Sequence, residues 1–179
     1  MCIRDRDSRE LMGFYPQDSR ITYLSLADGP LNETRAKLFA SLADGADVWT
    51  YVGHGGMDCL AHEGWFQTAD IDELQQPVCP ILAAFTCYIG HFALPGFDSL
   101  AERLVLHPDK GTVAAWAPSG ASLHREAMRL ARPFAAACGG AGRLGDAVRS
   151  AVQQYVAGDT FHQYMVDTFI LLGDPALSY

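Results

Sequence analysis

Val48-Trp49-Thr50-Tyr51-Val52-Gly53-His54-Gly55-Gly56 and, further along, Ile81-Leu82-Ala83-Ala84-Phe85-Thr86-Cys87 are the two stretches on which the fold turns. The run from Ile81 to Phe85 is continuously apolar and too short for a typical helix, which reads as a central strand covered on both faces. Residues 47–53 carry Val48, Trp49, Tyr51 and Val52 without a clean alternation of apolar and polar positions, and read as a second strand of the same kind. Each run ends on a reactive side chain, His54 in one case and Cys87 in the other. Ligands of open α/β sheets bind outside the carboxyl ends of parallel strands, so a histidine and a cysteine are offered where chemistry is expected.

Outward from these strands, helix and strand patterns alternate. Residues 21–26 suggest a short strand closed by Asp28-Gly29-Pro30. A helix then follows, with Asn32 as its expected cap and Leu38, Phe39 and Leu42 at helical spacing, until Asp44-Gly45. Residues 55–67 read as loop, and Thr68 as the cap of a short helix running to Leu74. Beyond Cys87, Ser99-Leu100-Ala101-Glu102 has capping-box spacing and opens a helix to Leu106, followed by an apolar strand over 111–117. Residues 123–137 are helical in pattern, with a kink expected at Pro133, a break at Gly139-Gly140 and a further helix over Leu144–Val156. Phe169-Ile170-Leu171-Leu172 is the last strand, stopped by Gly173-Asp174-Pro175. This βαβ alternation predicts an α/β fold with a mainly parallel sheet flanked by helices.

A chain of 179 residues with 49% hydrophobic content can bury one sizeable core. A net charge of −8 with only 13 Lys and Arg argues against a nucleic-acid partner, which needs a basic face. No apolar run approaches the ~20 residues of a membrane span, and neither a basic-then-apolar signal segment nor a GxxxxGK[ST] phosphate loop occurs. No cofactor is expected. Residues 1–6, Met-Cys-Ile-Arg-Asp-Arg, read as a translated adapter scar, which leaves 7–179 as the natural part and places the start of the gene further upstream. Apart from Cys2, the cysteines Cys59, Cys79, Cys87 and Cys138 form no short-spaced pair and are expected as free, mostly buried thiols.

A cysteine attacks as its thiolate, and a neighbouring histidine can take its proton and later give it to a leaving amine. His54 suits that role. Gly53 and Gly55 let the backbone pass close to a substrate, and the amides of Gly55 and Cys87 are candidates for holding an oxyanion. On spacing alone, a turn histidine and a buried packing thiol are an equal alternative. His54, Cys59 and His62 bring zinc-type donors onto one loop, but without a fourth ligand or a common zinc signature no metal site is assigned. His91 competes with His54 as the base but lacks the glycine-flanked strand end, and Trp65 and Trp116 read as core or pocket-wall aromatics.

The string Tyr51-Val52-Gly53-His54-Gly55-Gly56, the strand end at Cys87, Gly111-Thr112-Val113-Ala114, and Leu172-Gly173-Asp174-Pro175-Ala176-Leu177 together resemble the gingipain-type cysteine peptidases, in order from about Val48 to Leu177. The resemblance implies a three-layer caspase-like α/β sandwich with a mainly parallel sheet, a protein or peptide substrate, and a secreted or cell-surface location. It makes His54 and Cys87 the catalytic pair and lets loop 119–124, with Ser119 and His124, form the pocket for the residue before the scissile bond. Val52, Phe85 and Trp116 join them as substrate-binding candidates. In that family an acidic residue orienting the histidine, and another at the base of the pocket in Arg-specific members, lie upstream of the Gly-His-Gly segment, in a part of the polypeptide expected to be missing here. Two rivals are a transpeptidase that attaches exported proteins to the surface and a catalytically silent caspase-like binding module. The peptidase reading requires His54 and Cys87 on one edge of the sheet, and the truncated start predicts that residues 7–20 pack poorly.

Overall fold

The computed structural model describes residues 3–138, 142–158 and 160–178, so the expected break at Gly139-Gly140 lies outside the described residues. In chain order the elements are α1 (Ile3–Met12), α2 (Leu31–Ala43), β1 (Val48–Val52), β2 (Cys59–Leu60), β3 (Phe66–Gln67), β4 (Ile81–Phe85), α3 (Leu100–Leu106), β5 (Ala114–Pro118), α4 (His124–Ala137), α5 (Leu144–Val156), α6 (Gln163–Thr168) and β6 (Phe169–Leu172). No helix among the described residues is long and apolar enough to cross a membrane.

The main sheet has the order β1-β4-β5-β6. β1, β4 and β5 run parallel, and β6 closes the edge antiparallel to β5, giving the mainly parallel sheet that the alternating pattern predicts. Every residue of β4 and β5 is buried, because both faces of these strands are covered. The period-two geometry of a strand divides their side chains between two cores. Ile81, Ala83, Phe85, Ala114 and Trp116 face a layer built from α1, α4, α5 and α6, whereas Leu82, Ala84, Ala115 and Ala117 face α2, α3 and the β2–β3 hairpin. In the first core the Trp116 ring lies 5.5 Å from Phe85 and 4.8 Å from Phe134, and burial of each such ring contributes about 1.5–3 kcal/mol. α4 and α5 are tied by the Glu126 carboxylate, which accepts from Tyr155 at 2.7 Å and Arg129 at 2.8 Å and is thereby satisfied in the interior.

Several local readings differ from the structure. Residues 21–26 do not form a strand: the Ser25 amide donates to the Asp28 carboxylate and the Ser25 hydroxyl accepts from the Ala27 amide, both at 3.1 Å, around a 3-10 turn over Leu26–Asp28, a local solution that competes with extended pairing. α2 starts after Pro30 rather than from a cap at Asn32, and the helix expected from Thr68 is a 3-10 turn over Thr68–Glu73 capped by Gln67 and Asp70. α4 continues through Pro133. β5 starts at Ala114 rather than at residue 111, since Gly111 has φ +93° and a Cβ there would sit 2.1 Å from the Leu104 carbonyl oxygen.

The chain start packs better than expected. Leu11 is buried in the first core, Glu10 pairs with Arg132 at 2.9 Å, and the Tyr15 hydroxyl bonds Thr50 of β1. The helix begins within the segment read as a scar, at Ile3, while residues 17–22 are exposed.

Candidate active site

Strand register brings the two reactive residues together. β1 and β4 are hydrogen-bonded neighbours with Val52 opposite Phe85, and His54 and Cys87 each follow two residues beyond that pair. Both therefore emerge at the carboxyl edge of the sheet, side by side. The contact between the two strand ends is close at Gly55, where a Cβ would lie 2.5 Å from Thr86 Oγ1, 2.8 Å from the Cys87 carbonyl oxygen and 2.9 Å from Ile89 Cγ2. Only glycine lets the histidine loop lie against the cysteine loop.

The backbone of His54 is held from two directions: its carbonyl accepts from the Tyr51 hydroxyl at 2.7 Å and from the Ala61 amide at 2.8 Å. The Gly56 amide donates to the Cys59 carbonyl at 3.0 Å, so Gly55 occupies the non-hydrogen-bonded position of its bridge to Leu60. In that position its own N–H points away from the hairpin.

Cys87 is half-buried. The Ser122 amide donates to its Sγ at 3.4 Å, the thiol lies 3.6 Å from the Ser122 carbonyl, and the Ser122 hydroxyl bonds the Thr86 carbonyl. Tyr88 follows with φ +61°, an uncommon conformation for a bulky side chain, and its amide reaches the Gly120 carbonyl at 3.0 Å. Loop 119–124 thus packs directly on the nucleophile candidate. Its other end is fastened to α6, because the Ser119 amide and hydroxyl both donate to the Thr168 carbonyl, at 2.8 and 2.9 Å.

The remaining residues singled out in the sequence fall into place around this pair. His91 donates from Nδ1 to the Ser119 carbonyl at 2.6 Å, so one ring nitrogen is engaged in fastening two loops. Cys59 is a poor nucleophile, its thiol pushed up by burial and further by the adjacent Asp58 carboxylate. The His62 ring lies 4.7 Å from that of His54, yet among the described residues no three His, Cys, Asp or Glu side chains are grouped to hold a metal ion. Phe85 and Trp116, expected as substrate contacts, are 1% and 0% exposed. Enclosed in the core beneath the site, they support the strand ends and offer no surface to a ligand, and Val52 is half-buried against the same core. His124 turns to the Asp7 carboxylate, 2.7 Å away.

Asp7, which contacts His124, and Ser122, which contacts Cys87, were not singled out in the sequence. Asp7 lies far upstream of loop 119–124 and reaches it only because α1 packs on α4; no spacing rule carries that signal. Ser122 sits inside the loop that the family resemblance implies as a pocket wall, but its contact with sulfur is a property of the folded loop. Two surface concavities are formed elsewhere, one of them at the opposite, amino edge of the sheet around Asp47, Cys79 and Ile81, away from His54 and Cys87.

The hairpin that holds the His54 carbonyl depends in turn on Arg35. Its guanidinium donates to the Gly64 and Trp65 carbonyls at 2.8 and 3.2 Å and forks onto the Asp70 carboxylate at 3.0 and 2.7 Å. Arg35→Ala leaves a nearly buried Asp70 uncompensated, and a loss of about 3 kcal/mol is expected in urea unfolding. A change below about 0.5 kcal/mol would show that the pair is solvated and that the hairpin stands without it.

The family model described as Peptidase family C25 matches residues 7–179. Among solved structures, the chain is similar to the Arg-specific cysteine proteinase gingipain R, with TM-score 0.69 and 20% identity over 80% of this chain and 36% of that one. It is also similar to the complex of the RgpB pro- and mature domains from Porphyromonas gingivalis, with TM-score 0.68 and 21% identity over 80% of this chain and 36% of that one. A third solved structure, described only as a protease, aligns with TM-score 0.76 and 16% identity over 97% of this chain and 44% of that one. These likenesses establish a shared fold, and the chain spans less than half the length of each of these relatives. No curated protein matches it.

Proposed function

The chain belongs to peptidase family C25, and from that premise we propose that it forms part of a cysteine endopeptidase in which Cys87 is the nucleophile and His54 the base. The observation that carries this reading is the register of β1 on β4, which sets Gly53-His54-Gly55 beside Thr86-Cys87 at the carboxyl edge of the sheet. His54 takes the thiol proton and Cys87 Sγ attacks the scissile carbonyl carbon. The resulting oxyanion is held by the amides of Gly55 and Cys87, the first of which is not used by the hairpin bridge. Collapse of the tetrahedral intermediate breaks the C–N bond. The amine leaves with the proton from His54, and the acyl group remains as a thioester. Water, deprotonated by His54, then attacks the thioester carbonyl and releases the carboxylic acid and the free thiol.

The substrate class is a protein or peptide, approaching across loop 119–124, with Ser119 and His124 at the two ends of that loop. Completion of the site by an upstream part of the same polypeptide, and action outside the cell or at its surface, belong to the same proposal. The test is labelling with a peptide acyloxymethyl ketone on protein extended upstream. Peptide mapping is expected to find the adduct on Cys87 and not on Cys59, whose thiol is pushed up by burial. Label on Cys59 or Cys79 with Cys87 untouched would overturn the assignment.

A further inference from the structure

We infer that His62 is a positioning residue, holding the His54 ring and stabilising its imidazolium form by a tilted ring contact across the tip of the β2–β3 hairpin. This rests on the assignment of His54 as the base for Cys87. The two imidazole rings lie 4.7 Å apart between centroids and are tilted by 39°, a separation within the range of ring contacts. Both residues are exposed, so burial does not enforce the contact. The backbone does.

The hairpin is anchored by side chains that face the core: Leu60 and Phe66 are fully buried, and Ala61 is 4% exposed. Between them the chain reverses tightly, with Ala61 at φ +63° and Gly64 at φ +71°. A left-handed alanine is strained, and such strain persists where surrounding structure over-determines it, commonly at functional sites. Here the over-determining bonds are the Ala61 amide to the His54 carbonyl at 2.8 Å and the Arg35 guanidinium to the Gly64 and Trp65 carbonyls. The first of these ties the residue preceding His62 to the backbone of His54 itself. His62 is therefore delivered onto His54 by a rigid turn, while its neighbour Glu63 is turned out to solvent.

The chemical consequence follows from the reaction. When His54 accepts the Cys87 proton it becomes a cation, and the π electrons of an aromatic ring attract a cation held against them. An aromatic ring at position 62 thus favours the thiolate–imidazolium pair, and it also limits rotation of the His54 ring.

The experiment follows the rate of iodoacetamide alkylation of Cys87 by peptide mapping in the wild-type chain, His62→Ala, His62→Phe and His54→Ala, with thermal unfolding measured in parallel. His62→Ala is expected to slow alkylation by about two- to five-fold, with an unchanged unfolding temperature and a changed nitrogen-15 signature of the His54 ring. His62→Phe, which restores an aromatic face, is expected to recover the wild-type rate. Wild-type rates in His62→Ala, or equal slowing in His62→Ala and His62→Phe, would overturn the inference while a strong effect of His54→Ala leaves the base assignment standing. No effect of His54→Ala would instead remove the base assignment, and this inference with it.

Discussion

Cys87→Ala in protein extended upstream is expected to abolish probe labelling and to lower peptide hydrolysis by a factor on the order of 10⁶, the scale on which loss of a nucleophile reduces turnover in acyl-transfer enzymes. The fold is expected to survive. Cys87 is only half-buried, and its polar contacts are long ones to Ser122, at 3.4 and 3.6 Å, so the stability change is about 1 kcal/mol or less. Loss of activity with an intact unfolding transition separates a chemical role from a packing role. Hydrolysis persisting in Cys87→Ala within about tenfold of wild type would end the mechanism proposed above and require a nucleophile other than Cys87.

The second large effect is expected at Gly55, which carries no reactive group. A methyl group there would meet Thr86 Oγ1 at 2.5 Å, the Cys87 carbonyl oxygen at 2.8 Å and Ile89 Cγ2 at 2.9 Å, so the two strand ends must separate. Displacing reacting groups by about 1 Å costs on the order of 10²-fold in rate. The same substitution also withdraws the Gly55 amide from the oxyanion role proposed for it. Gly55→Ala is thus expected to lose at least that much activity while costing about 1–3 kcal/mol in stability through overpacking. Gly13→Ala, where the nearest atom is 3.4 Å from the added carbon, serves as the remote control and should leave activity unchanged. Full activity in Gly55→Ala would mean that the contact between the histidine and cysteine loops is not needed for chemistry.

Much of the layout was legible because apolar pattern and burial coincide. Ile81-Leu82-Ala83-Ala84-Phe85 has no polar residue to satisfy and no length for a helix, and it forms the fully buried strand β4 with those bounds. Ser99-Leu100-Ala101-Glu102 starts α3 with both halves of its capping box formed, since those bonds involve only residues of the first turn. Where the deciding contact came from another part of the chain, local reading failed. Residues 21–26 have strand-like composition, but their end is taken up by the turn at Ser25–Asp28, and the β2–β3 hairpin looked like loop because its strands are two residues each and are held by Arg35 from α2.

The same division applies to the site. Sequence by itself determined which side chains are available for chemistry, His54 and Cys87, and that each stands just past a buried strand, because strand formation and the glycine-flanked turn are properties of contiguous residues. Tertiary structure alone decided that β1 and β4 are neighbours in parallel register, that Phe85 and Trp116 face inward, that Ser122 meets the sulfur, and that Asp7 reaches His124. Those outcomes depend on which faces of distant elements bury against each other, and that is set by packing of the whole core.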